Sequence, residues 1–205
     1  MRTGPGPQPI LLPMDDRELA ETTVDRRVIH RGRYLTFTVD TVRDATGAQH
    51  TREVAVHPGA VAMVALDRGD VLMVRQYRTP AGRVLLEIPA GTLDRMEDGT
   101  IELPDAAAPR ELEEETGYRA AHWRKLGSFY TAPGFATELM HLYLATGLSP
   151  VEGYSGPEPD EHLDMQRLPL ADALRMAEDG TIQDAKSICG LFWVERLIAR
   201  GEVTL

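Results

Sequence analysis

The run Arg110-Glu111-Leu112-Glu113-Glu114-Glu115-Thr116-Gly117-Tyr118 holds the residues whose types and spacing could do chemistry. On a helix, Glu111, Glu114 and Glu115 stand at i, i+3 and i+4, so three carboxylates share one face. Like charges placed in this way repel by about a few tenths of a kcal/mol per pair on a free helix. A hard divalent cation relieves that repulsion, because Mg²⁺ prefers carboxylate oxygens and keeps waters available for reaction. The same charges also describe a solvated acidic helix face, and charge pattern alone favours that plainer reading. Context favours chemistry. A strand ending in Glu87-Ile88-Pro89-Ala90-Gly91 leads through a loop into this helix, and Arg110 is placed to orient a carboxylate.

The elements that must position these groups follow from hydrophobic patterning. Gly117 ends the glutamate-bearing helix, since glycine tolerates the left-handed conformation after a last turn. The continuous apolar runs Ala60 to Leu66 and Val71 to Val74 predict a buried hairpin turning at Asp67-Arg68-Gly69-Asp70. Val84 to Ile88 is a further short strand, with others near Trp123 to Tyr130, Met140 to Ala145 and Leu163 to Leu168. Helices are predicted at Leu170 to Glu178 and Lys186 to Arg200. Nearer the N-terminus, Val24 to Arg43 alternates like a strand, Asp44-Ala45-Thr46-Gly47 reads as a turn, and Arg52 to Val56 returns. That strand pair is too small to bury a core of its own, so it is expected to pack on the rest or on a second subunit. Strands with interspersed helices predict an α+β fold or an α/β/α sandwich.

The bulk properties bound the function. The 205 residues suit one domain with an N-terminal extension, and residues 1–13 read as a flexible tail without the apolar stretch of a signal peptide. No run approaches the roughly 18 apolar residues of a membrane span, so no membrane role is expected. The single cysteine, Cys189, rules out an intramolecular disulfide and a cysteine-based metal cluster, and it makes the cytoplasm the default compartment. A formal net charge of −10 repels nucleic-acid backbones, so no nucleic-acid partner is expected. An acidic protein that handles a polyanionic substrate needs local positive charge from a metal ion or from placed arginines.

The glutamate run resembles the Nudix family. That family's signature is Gly, five residues, Glu, seven residues, Arg-Glu-apolar, one residue, Glu-Glu, one residue, Gly-apolar. Arg110, Glu111, Leu112, Glu114, Glu115, Gly117 and Tyr118 match the second half, and Glu102 stands seven residues before Arg110. Ten residues separate Gly91 from Glu102, so the loop carries a five-residue insertion around Arg95 to Gly99. Glu97 fits the Gly91 spacing instead; Glu102 is preferred because Pro104 and Ala107-Ala108 after it also fit. Pro109 lies early in the helix and predicts a late or bent first turn. His57-Pro58-Gly59-Ala60-Val61, Val74-Arg75-Gln76-Tyr77-Arg78, Glu87 to Gly91, Thr131-Ala132-Pro133-Gly134-Phe135 and Asp184-Ala185-Lys186-Ser187 resemble the ADP-ribose pyrophosphatase branch.

The resemblance implies an α/β/α sandwich with a mixed β-sheet over residues 58–205, preceded by an N-terminal antiparallel strand pair in residues 14–57 that forms a homodimer. It implies Mg²⁺, with Mn²⁺ as a substitute, held by Glu111, Glu114, Glu115 and the carbonyl of Ala90. Arg110 would fix the glutamates. Arg52, from across a dimer interface, Arg78 and Pro133 would bind the substrate, and Glu161 in the acidic loop after the box would act as general base, with Glu158 as the alternative. The implied reaction is hydrolysis of ADP-ribose to AMP and ribose 5-phosphate. The box reads only the pyrophosphate, so another nucleoside diphosphate sugar, NADH or an oxidised nucleotide stays open. So does a non-catalytic module that senses ADP-ribose, although the box glutamates are intact. His57 and His141 read as structural histidines, Trp123 and Trp193 as core residues, and Cys189 as inert on the apolar face of the last helix.

Overall fold

A computed structural model describes residues 15–156 and 162–204. The chain divides into two compact units, Met1–Ala55 and Val56–Leu205. The tail 1–13 and both loop acids, Glu158 and Glu161, lie outside the described residues.

Among the described residues the first unit holds a helical turn, α1 (Asp16–Leu19), and three strands, β1 (Thr22–Arg31), β2 (Thr36–Arg43) and β3 (Gln49–Val56), in the order β1-β2-β3. The expected strand pair is therefore a three-stranded sheet. The stretch taken as one strand doubles back at Gly32, whose N–H donates to the carbonyl of Leu35 at 2.8 Å. That turn has none of the Asn-Gly or Pro punctuation that would mark it in sequence. The turn at Asp44 falls where patterning predicts, with the Asp44 carboxylate accepting from the amides of Thr46 and Ala48. β2 buries Thr38, Asp40 and Val42 on one face, and the Arg26 guanidinium grips Asp40 from β1.

The second unit is built on a mixed sheet. Its strands are β4 (Ala60–Asp67), β5 (Asp70–Arg78), β6 (Arg83–Glu87), β7 (Ala90–Thr92), β8 (Tyr118–Tyr130), β9 (Leu139–Pro150) and β10 (Leu163–Pro169). The main path runs β10-β5-β4-β9-β8, with β6 on β5 and β7 on β4. β4 and β9 run parallel, Ala60 beside Met140 through Leu66 beside Thr146, and the other pairings are antiparallel. The β4–β5 turn places Arg68 and Gly69 both at positive φ (49° and 84°), the geometry that matches the twist of a two-residue hairpin.

Among the described residues three α-helices complete this unit: α2 (Pro104–Thr116), α3 (Leu170–Glu178) and α4 (Ala185–Ala199). Alternation along β4 sorts them. Val61, Met63 and Ala65 pack with Ala107, Ala108 and Leu112 of α2. Ala60, Ala62, Val64 and Leu66 pack with Leu170, Ala173, Leu191 and Val194 of α3 and α4. The sheet is thus covered on both faces, which explains why β4 reads as an unbroken apolar run rather than an alternating one.

Two expectations about packing change. Trp193 is 38% exposed rather than in the core; its ring edge lies over Gly127, where a Cβ would fall 2.4 Å from it. Cys189 is exposed, because one residue further along α4 it is Gly190 that faces Val64, Ile88 and Leu142. α2 also differs from expectation. It begins at Pro104, where proline's missing N–H costs nothing, so the first turn precedes Pro109 instead of being delayed by it.

Candidate functional site

Helix α2 is the platform. Its alanine- and glutamate-rich sequence favours helix, and Gly117 closes it in the left-handed conformation (φ 71°), donating to the carbonyl of Glu113 at 2.9 Å. The buried positions Ala108, Glu111, Leu112 and Glu115 repeat at helical spacing, so the stripe that carries Leu112 into the core carries two carboxylates with it. Glu111 and Glu115 are only 9% and 5% exposed. Glu114 sits at the margin of that stripe, its side chain 39% exposed.

Burying carboxylates is costly unless they are paired, and each of these has a partner. The Ala90 N–H donates to Glu115 Oε2 at 2.9 Å. Arg110 reaches Glu111 at 2.9 Å and donates to Glu114 at 2.7 Å. It also grips Glu102 through Nε and Nη2, at 3.2 and 2.7 Å. The hydrogen bonds from Arg110 hold the Glu102 carboxyl below the usual carboxylate range, and Arg110 is in turn raised above the ordinary arginine value. Glu102, not Glu97, therefore occupies the arginine. The insertion closes on itself as a small hairpin, with Arg95 bridged to Ile101 and the Glu102 N–H donating to the Asp94 carbonyl at 2.8 Å. The extra residues loop out, and Glu102 still meets Arg110.

Gly91 meets the helix directly. A Cβ at this position would lie 1.9 Å from the Glu111 carboxyl carbon, so only glycine lets β7 approach the carboxylate. Among the described residues no three of His, Cys, Asp and Glu form a closed ligand set. The donor chemistry nonetheless fits a hard divalent cation: two carboxylates of α2 cradled against the Ala90–Gly91 backbone, a third beside them, and oxygen as the sole donor element.

A cleft of about 510 Å³ opens next to β7, lined by Ala90, Gly91, Arg78, Glu87, Glu138 and Lys186 among others. Arg78 donates to both oxygens of Glu87, at 2.7 Å each, and Glu87 also takes the Lys186 ammonium. Burial pushes the Glu87 carboxyl up, but the Arg78 hydrogen bonds and the Lys186 charge outweigh it, and the net direction is down. The same contact raises Arg78. On another wall the Thr131 hydroxyl donates to Glu138, with His57 Nε2 3.6 Å from Glu138. Burial lowers His57, and its Nδ1 accepts from the Gly59 amide at 3.0 Å. His141 pairs with Ser128 at 2.9 Å.

A family description of the NUDIX domain matches residues 56–191. The chain belongs to the Nudix family. Its Nudix unit and N-terminal strands together resemble whole relatives. An ADP-ribose pyrophosphatase of Bacillus subtilis (strain 168) is 38% identical over 87% of this chain and 95% of its own length. A methanol dehydrogenase activator of Bacillus methanolicus is 40% identical over 85% and 92%. A solved ADP compounds hydrolase superposes with a TM-score of 0.73 at 25% identity, covering 89% of this chain and 97% of that one.

Within the Nudix unit the structure brings together Arg110, Glu111, Glu114, Glu115 and Ala90, and it places Arg78 on the neighbouring cleft. Pro133 stands at an exposed turn between β8 and β9 and does not line that cleft; Thr131 and Glu138 on either side of it do. Arg52 lies on β3 in the N-terminal unit, paired there with Glu21. Sequence reasoning assigned no role to Glu87, Glu138 or Lys186. Glu87 and Lys186 did lie in segments that resembled the branch; only their pairing across 99 positions was invisible.

Proposed function

We propose that this protein is a divalent-metal-dependent hydrolase that splits the pyrophosphate of ADP-ribose into AMP and ribose 5-phosphate. The observation that carries the reading is the seating of Glu111 and Glu115 against Ala90 and Gly91, beside a cleft that presents Arg78 and Lys186. The choice of ADP-ribose is supported by the Bacillus subtilis relative and the ADP compounds hydrolase.

Glu111, Glu114, Glu115 and the Ala90 carbonyl would hold Mg²⁺, with Mn²⁺ as a substitute. When bound, the ion supplies positive charge to the pyrophosphate oxygens and makes water a better nucleophile. Arg110 keeps the glutamates in one arrangement through its contacts with Glu102, Glu111 and Glu114. Arg78 offers a planar guanidinium, held side-on by Glu87, to a phosphate or to the adenine face. Glu161 is the proposed base that takes the proton from the attacking water, since the box glutamates are committed to the ion.

A second copy of the chain is the proposed partner, with Arg52 serving across the interface and Pro133 contacting the substrate. Support comes from β1, an edge strand that leaves Val24, Val28 and Ile29 exposed. The proposed location is the cytoplasm. Chelation tests the metal part of the reading. EDTA should abolish hydrolysis and excess Mg²⁺ should restore it; full turnover in EDTA would reject it.

A further inference from the structure

Helix α4 is stitched to the segment between β6 and β7 by side chains far apart in sequence. The Ile88 N–H donates to Ser187 Oγ at 2.8 Å, and Ser187 Oγ donates to Asp184 Oδ2 at 2.5 Å. Lys186 donates to Glu87 and stands 3.0 Å from Asp184 Oδ1. Glu87 is 1% exposed and Lys186 8%, so this is a buried charged cluster at the wall of the cleft. Such a cluster is a poor way to gain stability, because two ions must be desolvated before they attract each other. Its geometry suggests another use.

Glu87 receives Nε and Nη2 of Arg78, which leaves Nη1 as the guanidinium nitrogen that Glu87 does not engage. The orientation of Arg78 is therefore set by a carboxylate, and the carboxylate is set by Lys186. Without the ammonium, Glu87 would keep one cation instead of two and lose its tie to α4. Ser187 holds the next residue, Ile88, so the link continues toward Ala90 two positions on.

We propose that Lys186 is a positioning residue for the substrate: by holding Glu87 from helix α4 it fixes the Arg78 guanidinium at the wall of the cleft. This rests on the reading of Arg78 as the arginine that holds substrate.

The test is a double-mutant cycle on the full chain, read by calorimetric binding of ADP-ribose in EDTA and by steady-state KM and kcat with Mg²⁺. Arg78→Ala and Lys186→Met should each weaken ADP-ribose binding on the order of tenfold, with KM rising more than kcat falls. The double variant should bind no more weakly than Arg78→Ala alone, because both changes remove one interaction. If Lys186→Met does not fold, the charge-balanced pair Glu87→Gln/Lys186→Met replaces it, with the same expectation. Wild-type binding by Lys186→Met overturns the proposal. So does full additivity, which would mean that the ammonium touches the ligand independently of Arg78. Wild-type binding by Arg78→Ala rejects the reading of Arg78 itself, and the proposal falls with it.

Discussion

The Arg110 guanidinium closes on Glu102 with Nε at 3.2 Å and Nη2 at 2.7 Å, while its Nη1 donates to Glu114 at 2.7 Å. One arginine thus couples a loop carboxylate to the helix that carries the proposed metal ligands. Removing such a supporting partner typically costs about 10–100-fold in activity or metal affinity. Glu102→Gln should lower kcat within that range and weaken Mn²⁺ binding measured by electron paramagnetic resonance. Glu97→Gln, on the looped-out hairpin, should leave both unchanged. The opposite pattern would return the role to Glu97.

Gly91→Ala places a methyl group 1.9 Å from the Glu111 carboxyl carbon, so either β7 or Glu111 must move. Overpacking of this kind costs roughly 1–3 kcal/mol, and here the displaced group is a proposed ligand. Thermal melts and activity assays should show a modestly less stable protein with turnover reduced by more than tenfold, on the order expected for lost ligand geometry. Normal activity in Gly91→Ala would mean that the close approach is not needed for chemistry.

Stability should fall in two stages on acidification. His57 and His141 are lowered chiefly by burial, so below about pH 6.5 the unfolded chain takes up protons that the native state refuses, and stability declines. Glu87 and Glu102 are lowered despite burial because cations hold them. Their contribution is present above the ordinary carboxylate range and is lost as pH falls through their lowered native values. Denaturant titrations from about pH 8 down to about pH 3 check the sign of both stages: a protein that gains stability on acidification through either range would contradict these assignments.

Glu161→Gln should cut kcat far more than KM while Mn²⁺ binding is kept, as expected for a proton acceptor. If Glu158→Gln fails instead, the base lies three residues upstream. Full activity in both variants would remove the loop from catalysis.

Much of this was legible in the sequence. Unbroken apolar runs marked β4 and β5 because their strands are buried on both faces, and the glutamate spacing on α2 showed which carboxylates share a stripe. The turn at Gly32 was not legible, since an isolated glycine inside a strand pattern marks a bulge as readily as a reversal. Trp193 and Cys189 were misplaced because α4 packs through Gly190, Leu191 and Val194, which turns both side chains outward. The Glu87–Lys186 pair escaped because a salt link between distant strands and helices leaves no local pattern; only the folded chain brings its ends together.

The most direct measurement is kcat/KM for ADP-ribose against a panel of GDP-mannose, UDP-glucose, NADH and an oxidised nucleoside triphosphate, in Mg²⁺, with products identified by chromatography. ADP-ribose should give the highest value, with AMP and ribose 5-phosphate formed in equal amounts. A tenfold preference for another compound, or no hydrolysis of ADP-ribose by folded, metal-loaded protein, would contradict an ADP-ribose pyrophosphatase.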